Sequence, residues 1–171
     1  ILKMKTTLYA GYGSNLNMKQ MERRCPNSKL VTKSVIPDWT LVFRGVADII
    51  YRKNSKLNIG IYEITKECEY SLDKFEGFPS LYKKRYFKIQ LNEKNKDVLT
   101  YVMNPKFSLG PPCEEYFKII DEGFKDWKID KNFLLDAVNF SINKGSSFTY
   151  KPNHFSDSPI INISTVLKIL K

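Results

Sequence analysis

The order in which two hydrophobic periodicities follow one another constrains this chain most. Up to residue 104 the apolar residues fall in short β-type runs broken by glycine, proline and polar turns, and after Pro111-Pro112 they recur at helical spacing. Residues 6 to 12 form a run of β-formers ending at Gly13, read as a strand and a tight turn. A helix over 17 to 25 follows: Asn17 and Gln20 have capping-box spacing, Met18, Met21 and Cys25 repeat at helical intervals, and Pro26 stops it. Residues 29 to 35, 40 to 44, 46 to 51 and 57 to 64 read as strands, with a polar turn at 53 to 56. Thr65 caps a helix over 66 to 76 that puts Cys68, Leu72 and Phe75 on one face, and Gly77 and Pro79 end it. Residues 85 to 91 alternate and pair with 98 to 103 in a hairpin. Tyr116, Ile119, Ile120, Gly123 and Trp127 then mark one amphipathic helix, Phe133, Leu134, Ala137, Val138 and Ile142 another closed by Gly145, and 164 to 170 a final short one. Strands first and helices later predict an α+β fold with a mainly antiparallel sheet, open to curling into a barrel. Gly11 and Gly13 make only a truncated G-x-G without a βαβ rhythm, which excludes a doubly wound nucleotide fold.

At 171 residues and 42% hydrophobic content, the expectation is one domain over 1 to 171, with an extension beginning near 141. No stretch approaches the roughly 18 consecutive apolar residues of a membrane span, and Ile1-Leu2-Lys3-Met4-Lys5 is too short and polar for a secretory signal. These features predict a soluble, cytoplasmic protein with no membrane partner. Cys25, Cys68 and Cys113 are odd in number and widely spaced, so buried free thiols are expected rather than disulfides or a zinc site. His154 is the only histidine, in a polar segment with no activated neighbours. A net charge of +10 invites a nucleic-acid reading, but the lysines are scattered and the longest basic run is Lys83-Lys84-Arg85, so nucleic acid is not the expected partner. The charge instead favours encounter with small anions.

Two segments can carry chemistry. The turn at 12 to 16 combines a glycine after a strand with Ser14, Asn15 and a helix start, a grouping that presents donors to negative charge and equally describes a polar strand-to-helix turn. Glu76 lies in the last turn of its helix, where the negative dipole end and neighbours Phe75 and Phe78 would raise its pKa into the range of a neutral-pH acid/base; the alternative is a solvated helix-end glutamate. Arg44 and Asp48 read as a structural pair around Gly45, and Met18 and Met21 as core contacts. Tyr82 and Tyr116 are pocket candidates, whereas Tyr86 is an ordinary sheet aromatic.

Tyr12-Gly13-Ser14-Asn15-Leu16 and Leu72-Asp73-Lys74-Phe75-Glu76-Gly77 together resemble the substrate loop and the catalytic-glutamate segment of the γ-glutamylcyclotransferase-like (AIG2-like) family. Tyr82 matches a family tyrosine at the pocket rim, and Gly110-Pro111-Pro112-Cys113-Glu114-Glu115-Tyr116 resembles the segment whose tyrosine opens the next helix. Residues 21 to 26 and 41 to 49 look like bacterial and phage-type members, so the resemblance spans about 6 to 140. It implies a closed or nearly closed β-barrel wrapped by helices, no metal or other cofactor, and an acyl-transfer enzyme that cyclises a γ-glutamyl group to 5-oxoproline and frees an amine. In that reading Glu76 is catalytic, and Tyr12, Gly13, Ser14, Asn15, Leu16, Tyr82 and Tyr116 bind the small-molecule γ-glutamyl substrate. The group on the γ-glutamyl nitrogen and the oligomeric state stay open. The rival reading is a protein of the same fold that holds a small anion without turnover.

Overall fold

The computed structural model describes residues 4–146 and 149–171. Among them five strands form one sheet in the order β2-β3-β1-β5-β4: β1 (Thr7–Gly11), β2 (Lys29–Phe43), β3 (Ala47–Ile64), β4 (Tyr82–Leu91) and β5 (Lys94–Met103). Pairing is antiparallel except between β1 and β5, which run parallel and meet at Tyr9 and Leu99. The expected closed barrel is therefore wrong. β2 and β4 are the outer strands of an open, mixed sheet, and helices cover it instead of a closing ladder. Alternation along a strand reports which face is buried, and it carries no information on whether the last strand returns to the first.

The segmentation of the long hairpin also differs from expectation. The strands read at 29–35 and 40–44 are one element, β2, and those at 46–51 and 57–64 are one element, β3. The register passes from Pro37 opposite Lys56 to Trp39 opposite Tyr51, so the polar residues 52–55 bulge out instead of ending the strand. Asp38 and Asn54 take positive φ at this corner, a conformation their side chains tolerate, and the Asn54 N–H donates to Asp38 Oδ1 at 2.8 Å.

The helices α1 (Met18–Arg24), α2 (Lys66–Glu76), α3 (Glu114–Asp126), α4 (Lys131–Lys144) and α5 (Ile163–Ile169) form where capping and periodicity predict them. Asn17 accepts from the Gln20 N–H, Thr65 from the Cys68 N–H and Asp130 from the Asn132 N–H, each replacing a bond the first helical turn lacks. Gly77 ends α2 in the left-handed region, φ 62°, where a side chain would be strained. Fully buried Phe117 and Ile120 of α3 and Leu134 and Val138 of α4 share one hydrophobic core with Ile59, Ile61 and Phe43 of the sheet. Two hydrogen bonds lock this packing. Trp127 Nε1 donates to the Leu16 carbonyl at 2.8 Å, and the Phe43 N–H donates to Ser141 Oγ at 2.8 Å. After α4 the chain returns to the start of α3, where Ile160 bridges Cys113, and α5 buries Val166 in the same core.

The cysteines depart from expectation. Cys25 and Cys68 form a disulfide, Cα–Cα 5.0 Å, between the end of α1 and the first turn of α2, and only Cys113 is a buried free thiol. Sequence spacing cannot show that two helices 43 residues apart end side by side. Among the described residues no helix is long and apolar enough to cross a membrane.

Candidate functional site

β1 ends at Gly11 and the chain turns through Tyr12 and Gly13 into a single 3-10 turn, Ser14–Leu16, before α1. Gly13 is required by close packing rather than by positive φ: its φ is −120°, but a Cβ there would lie 2.7 Å from the Ala47 Cβ. The turn's own bonds run from the Leu16 and Asn17 N–H groups to the Gly13 and Ser14 carbonyls, so the N–H groups of Ser14 and Asn15 stand at its open end. α2 brings Glu76 to the same place. That helix is held on the sheet by Asp73, which accepts from Tyr101 Oη at 2.5 Å and pairs with Lys84 at 3.0 Å.

The loop, Glu76 and five tyrosines enclose a narrow inner cavity of ≈ 30 Å³, which shares walls with an outer one of ≈ 380 Å³. Tyr12, Gly13, Ser14, Asn15, Glu76, Tyr82 and Tyr116 line the inner cavity, so seven of the eight expected site residues converge. Leu16 does not. It is fully buried in the core, and its carbonyl serves Trp127. Tyr86 is 58% exposed, and Arg44 pairs with buried Asp48 at 2.8 Å, a structural role in which Asp48 also accepts from the Met103 N–H. Met21 is buried in the core and Met18 packs against it.

Asn15 is the hub. Its Nδ2 donates to Tyr9 Oη at 2.8 Å and to Glu76 Oε1 at 3.2 Å, while its Oδ1 accepts from Arg24 Nη1 at 2.5 Å. Because a guanidinium only donates, Arg24 fixes which end of the amide faces Glu76. Arg24 also lies 4.3 Å over the Phe75 ring. Three of the five tyrosine hydroxyls bond the backbone: Tyr12 donates to the Tyr101 carbonyl at 2.6 Å, Tyr82 donates to the Ala47 carbonyl at 2.5 Å, and Tyr116 accepts from the Ala47 N–H at 3.0 Å. Burial, reinforced by Glu76, pushes the Tyr9, Tyr12 and Tyr82 hydroxyls up, so they stay neutral.

Glu76 keeps some exposed surface as a residue, but its carboxylate is enclosed, and burial raises its pKa to about 7 against the opposing pull of Arg24 and Asn15. The direction and the desolvation behind it match the sequence expectation, but the groups that exclude water do not. Phe75 and Phe78 are 57% and 38% exposed; the tyrosines of β1, β4, β5 and α3 exclude water instead. Tyr9, Arg24, Ala47 and Tyr101 were missed. Tyr9 and Tyr101 look like ordinary alternating sheet residues, and only the pairing of Tyr9 with Leu99, two residues from Tyr101, brings them together. Among the described residues no group of histidine, cysteine, aspartate and glutamate side chains is placed to hold a metal.

Comparison with known proteins gives this arrangement a relationship. A solved structure described as a gamma-glutamyl cyclotransferase superimposes with a TM-score of 0.70 at 22% identity, over 90% of this chain and 97% of the other. A solved structure of uncharacterized protein loc79017 from Homo sapiens matches with a TM-score of 0.68 at 22% identity over 89% and 96%. YkqA from Bacillus subtilis gives 0.65 at 21% identity over 82% of this chain and 55% of that one. At such identities these matches establish the fold alone. A search of curated proteins found no match. The sequence profile of the family described as "Gamma-glutamyl cyclotransferase, AIG2-like" matches residues 9–127, a stretch that holds the loop, Glu76, Tyr82 and Tyr116, and the chain thus belongs to that enzyme family.

Proposed function

We propose that the protein cyclises γ-glutamyl compounds to 5-oxoproline with release of an amine, and that Glu76 is its general acid/base. The observation that carries this reading is the contact between Glu76 and Asn15: an enclosed carboxylate with a pKa of about 7, hydrogen-bonded to the side chain of the loop that lines the same cavity. A carboxylate in that state both accepts and returns a proton near neutrality.

In the reaction, the substrate's α-nitrogen bonds to the γ-carbonyl carbon and the amide C–N bond breaks. The α-ammonium gives up two protons as it becomes the lactam N–H, and the departing nitrogen gains two as it leaves as an ammonium. Glu76 takes one from the α-nitrogen to free the attacking lone pair and delivers one to the leaving nitrogen. The N–H groups of Ser14 and Asn15 meet the negative charge that develops on the γ-oxygen as the α-nitrogen adds to the carbonyl. Holding the chain bent between loop and glutamate turns the attack into a favourable ring closure. Neutral Tyr82 and Tyr116 shape the cavity around Ala47 without titrating.

The test is incubation with a panel of γ-glutamyl compounds, reading 5-oxoproline by mass spectrometry. Release by the wild type and loss in Glu76→Gln support the proposal. Stoichiometric retention of an uncleaved ligand by the wild type sinks it.

A further inference from the structure

The inner cavity lies at a gap in the sheet. β1 pairs with residues 60–64 of β3 and meets β5 at Leu99, and at Gly11 it leaves the sheet to form the loop. The first residues of β3 and the last of β5 therefore run on without β1 between them, and side chains take the backbone groups that a strand would pair. Tyr12 takes the Tyr101 carbonyl, Tyr82 the Ala47 carbonyl and Tyr116 the Ala47 N–H. A fourth group, the Met103 N–H, donates to Asp48 Oδ1 at 2.9 Å.

Of these four contacts only the one from Asp48 ties β3 directly to β5. The other carboxylate oxygen of Asp48 accepts from Arg44 Nε at 2.8 Å, and Arg44 Nη1 donates to the Phe107 carbonyl at 2.7 Å, which anchors the bridge a second time beyond β5. Asp48 is 2% exposed and stands behind the cavity wall, while Ala47 beside it forms part of that wall. Several parts of the site meet at Ala47. It bonds Tyr82 and Tyr116 through its two backbone groups, and it lies so close to Gly13 that a Cβ on the glycine would be 2.7 Å from its own.

Resting on the cyclotransferase reading, we propose that Asp48 is a positioning residue: by bridging β3 to the Met103 N–H across the gap, it fixes Ala47, against which the Gly13 loop, Tyr82 and Tyr116 are registered. Asp48 acts through Ala47 and not by contact with the substrate. Its part in turnover is to hold the loop wall at the distance from Glu76 that ring closure needs, where misplacement by about 1 Å costs on the order of 10²-fold in rate. What the bridge requires is an oxygen within reach of the Met103 N–H. Asparagine supplies one and alanine does not.

The experiment follows kcat and amide hydrogen exchange together in Asp48→Ala and Asp48→Asn. In Asp48→Ala, kcat for 5-oxoproline release is expected to fall by about tenfold or more per folded molecule, and in Asp48→Asn to recover to within about threefold of the wild type. Both variants deprive Arg44 of its carboxylate and both lose stability, so a residue that served stability alone would not separate them. Exchange of the Met103 and Ala47 amides, read by NMR, should speed up together in Asp48→Ala and stay slow in Asp48→Asn. Should Asp48→Ala fail to fold, Asp48→Ser, one bond too short for the bridge, takes its place. Wild-type kcat in Asp48→Ala, equal losses of kcat in the two variants, or faster exchange at Met103 with Ala47 unchanged overturns the proposal while leaving the cyclotransferase reading intact. Absence of 5-oxoproline from the wild type overturns that reading and the part of Asp48 in turnover with it, and the exchange of Ala47 then still decides whether Asp48 holds the wall.

Discussion

At the scale of single residues, the environment of Glu76 makes opposite demands on stability and on the proposed acid/base role. Below about pH 4.5 the group is protonated whether the chain is folded or not; between 4.5 and about 7 only the unfolded chain ionises it. Stability at this site is therefore greatest at low pH and falls as pH rises through that window, by about 3 kcal/mol in total. Glu76→Gln is expected to abolish that slope in denaturant titrations from pH 5 to 8 and to be the more stable protein at pH 8. The same substitution should lower kcat by about 10²-fold or more, since an amide accepts no proton. In the wild type kcat/KM should rise with pH through an apparent pKa near 7, and Arg24→Gln should move that limb to higher pH by removing the charge that opposes protonation. A limb that stays in place would remove Arg24 from the tuning of Glu76. Gly13→Val is expected to impair turnover far more than Ser14→Ala, because its Cβ would meet Ala47 at 2.7 Å whereas Ser14 keeps its backbone N–H in either form. Equal losses would show that the loop tolerates displacement.

At the scale of elements, the most consequential join is the disulfide from α1 to α2. Arg24 precedes Cys25, and Glu76 lies two turns along the helix that begins beside Cys68, so the bond holds together the two helices that supply the charged partners of Asn15. Replacing both cysteines by serine closes no loop of 43 residues in the unfolded chain and should cost about 4 kcal/mol by chain entropy, read from chemical denaturation. Loss of under about 1 kcal/mol would mean that packing alone sets the α1–α2 geometry. The helices were readable in sequence because their signals are local: Asn17, Thr65 and Gly77 act within one turn of themselves. The same holds for the loop and Glu76, each of which lies in one short segment. What escaped reading depends on contacts between distant segments. The bulge at 52–55 looks like a loop until its strand is seen to resume pairing with β2, and Tyr9 and Tyr101 become neighbours only through the parallel β1–β5 pair. Cys25 and Cys68 carry no mutual signal at all.

At the scale of the whole molecule, the segment beyond α4 is part of the structure that encloses the site. Val166 is fully buried and Ile161 and Leu170 nearly so, and the Glu114 N–H donates to the Pro159 carbonyl at 2.8 Å. Val166→Ala should cost about 1–3 kcal/mol by opening a cavity in this packing, measured by thermal or urea unfolding. A neutral result would make α5 peripheral. The net charge of +10 acts over the whole surface, and its effect on turnover of an anionic substrate should weaken as salt rises. The open sheet gives that charge a second role. A barrel has no free strand, whereas β2 ends the sheet here and presents Leu30, Val31 and Val35 at 55%, 44% and 41% exposure along an unpaired edge. The register shift at Val31 disturbs the flat ladder a second copy would need, and Lys29 and Lys33 interrupt the apolar run. The lysines of that edge thus oppose its pairing with a second copy, and concentrated salt or neutralised lysines are expected to promote self-association through it.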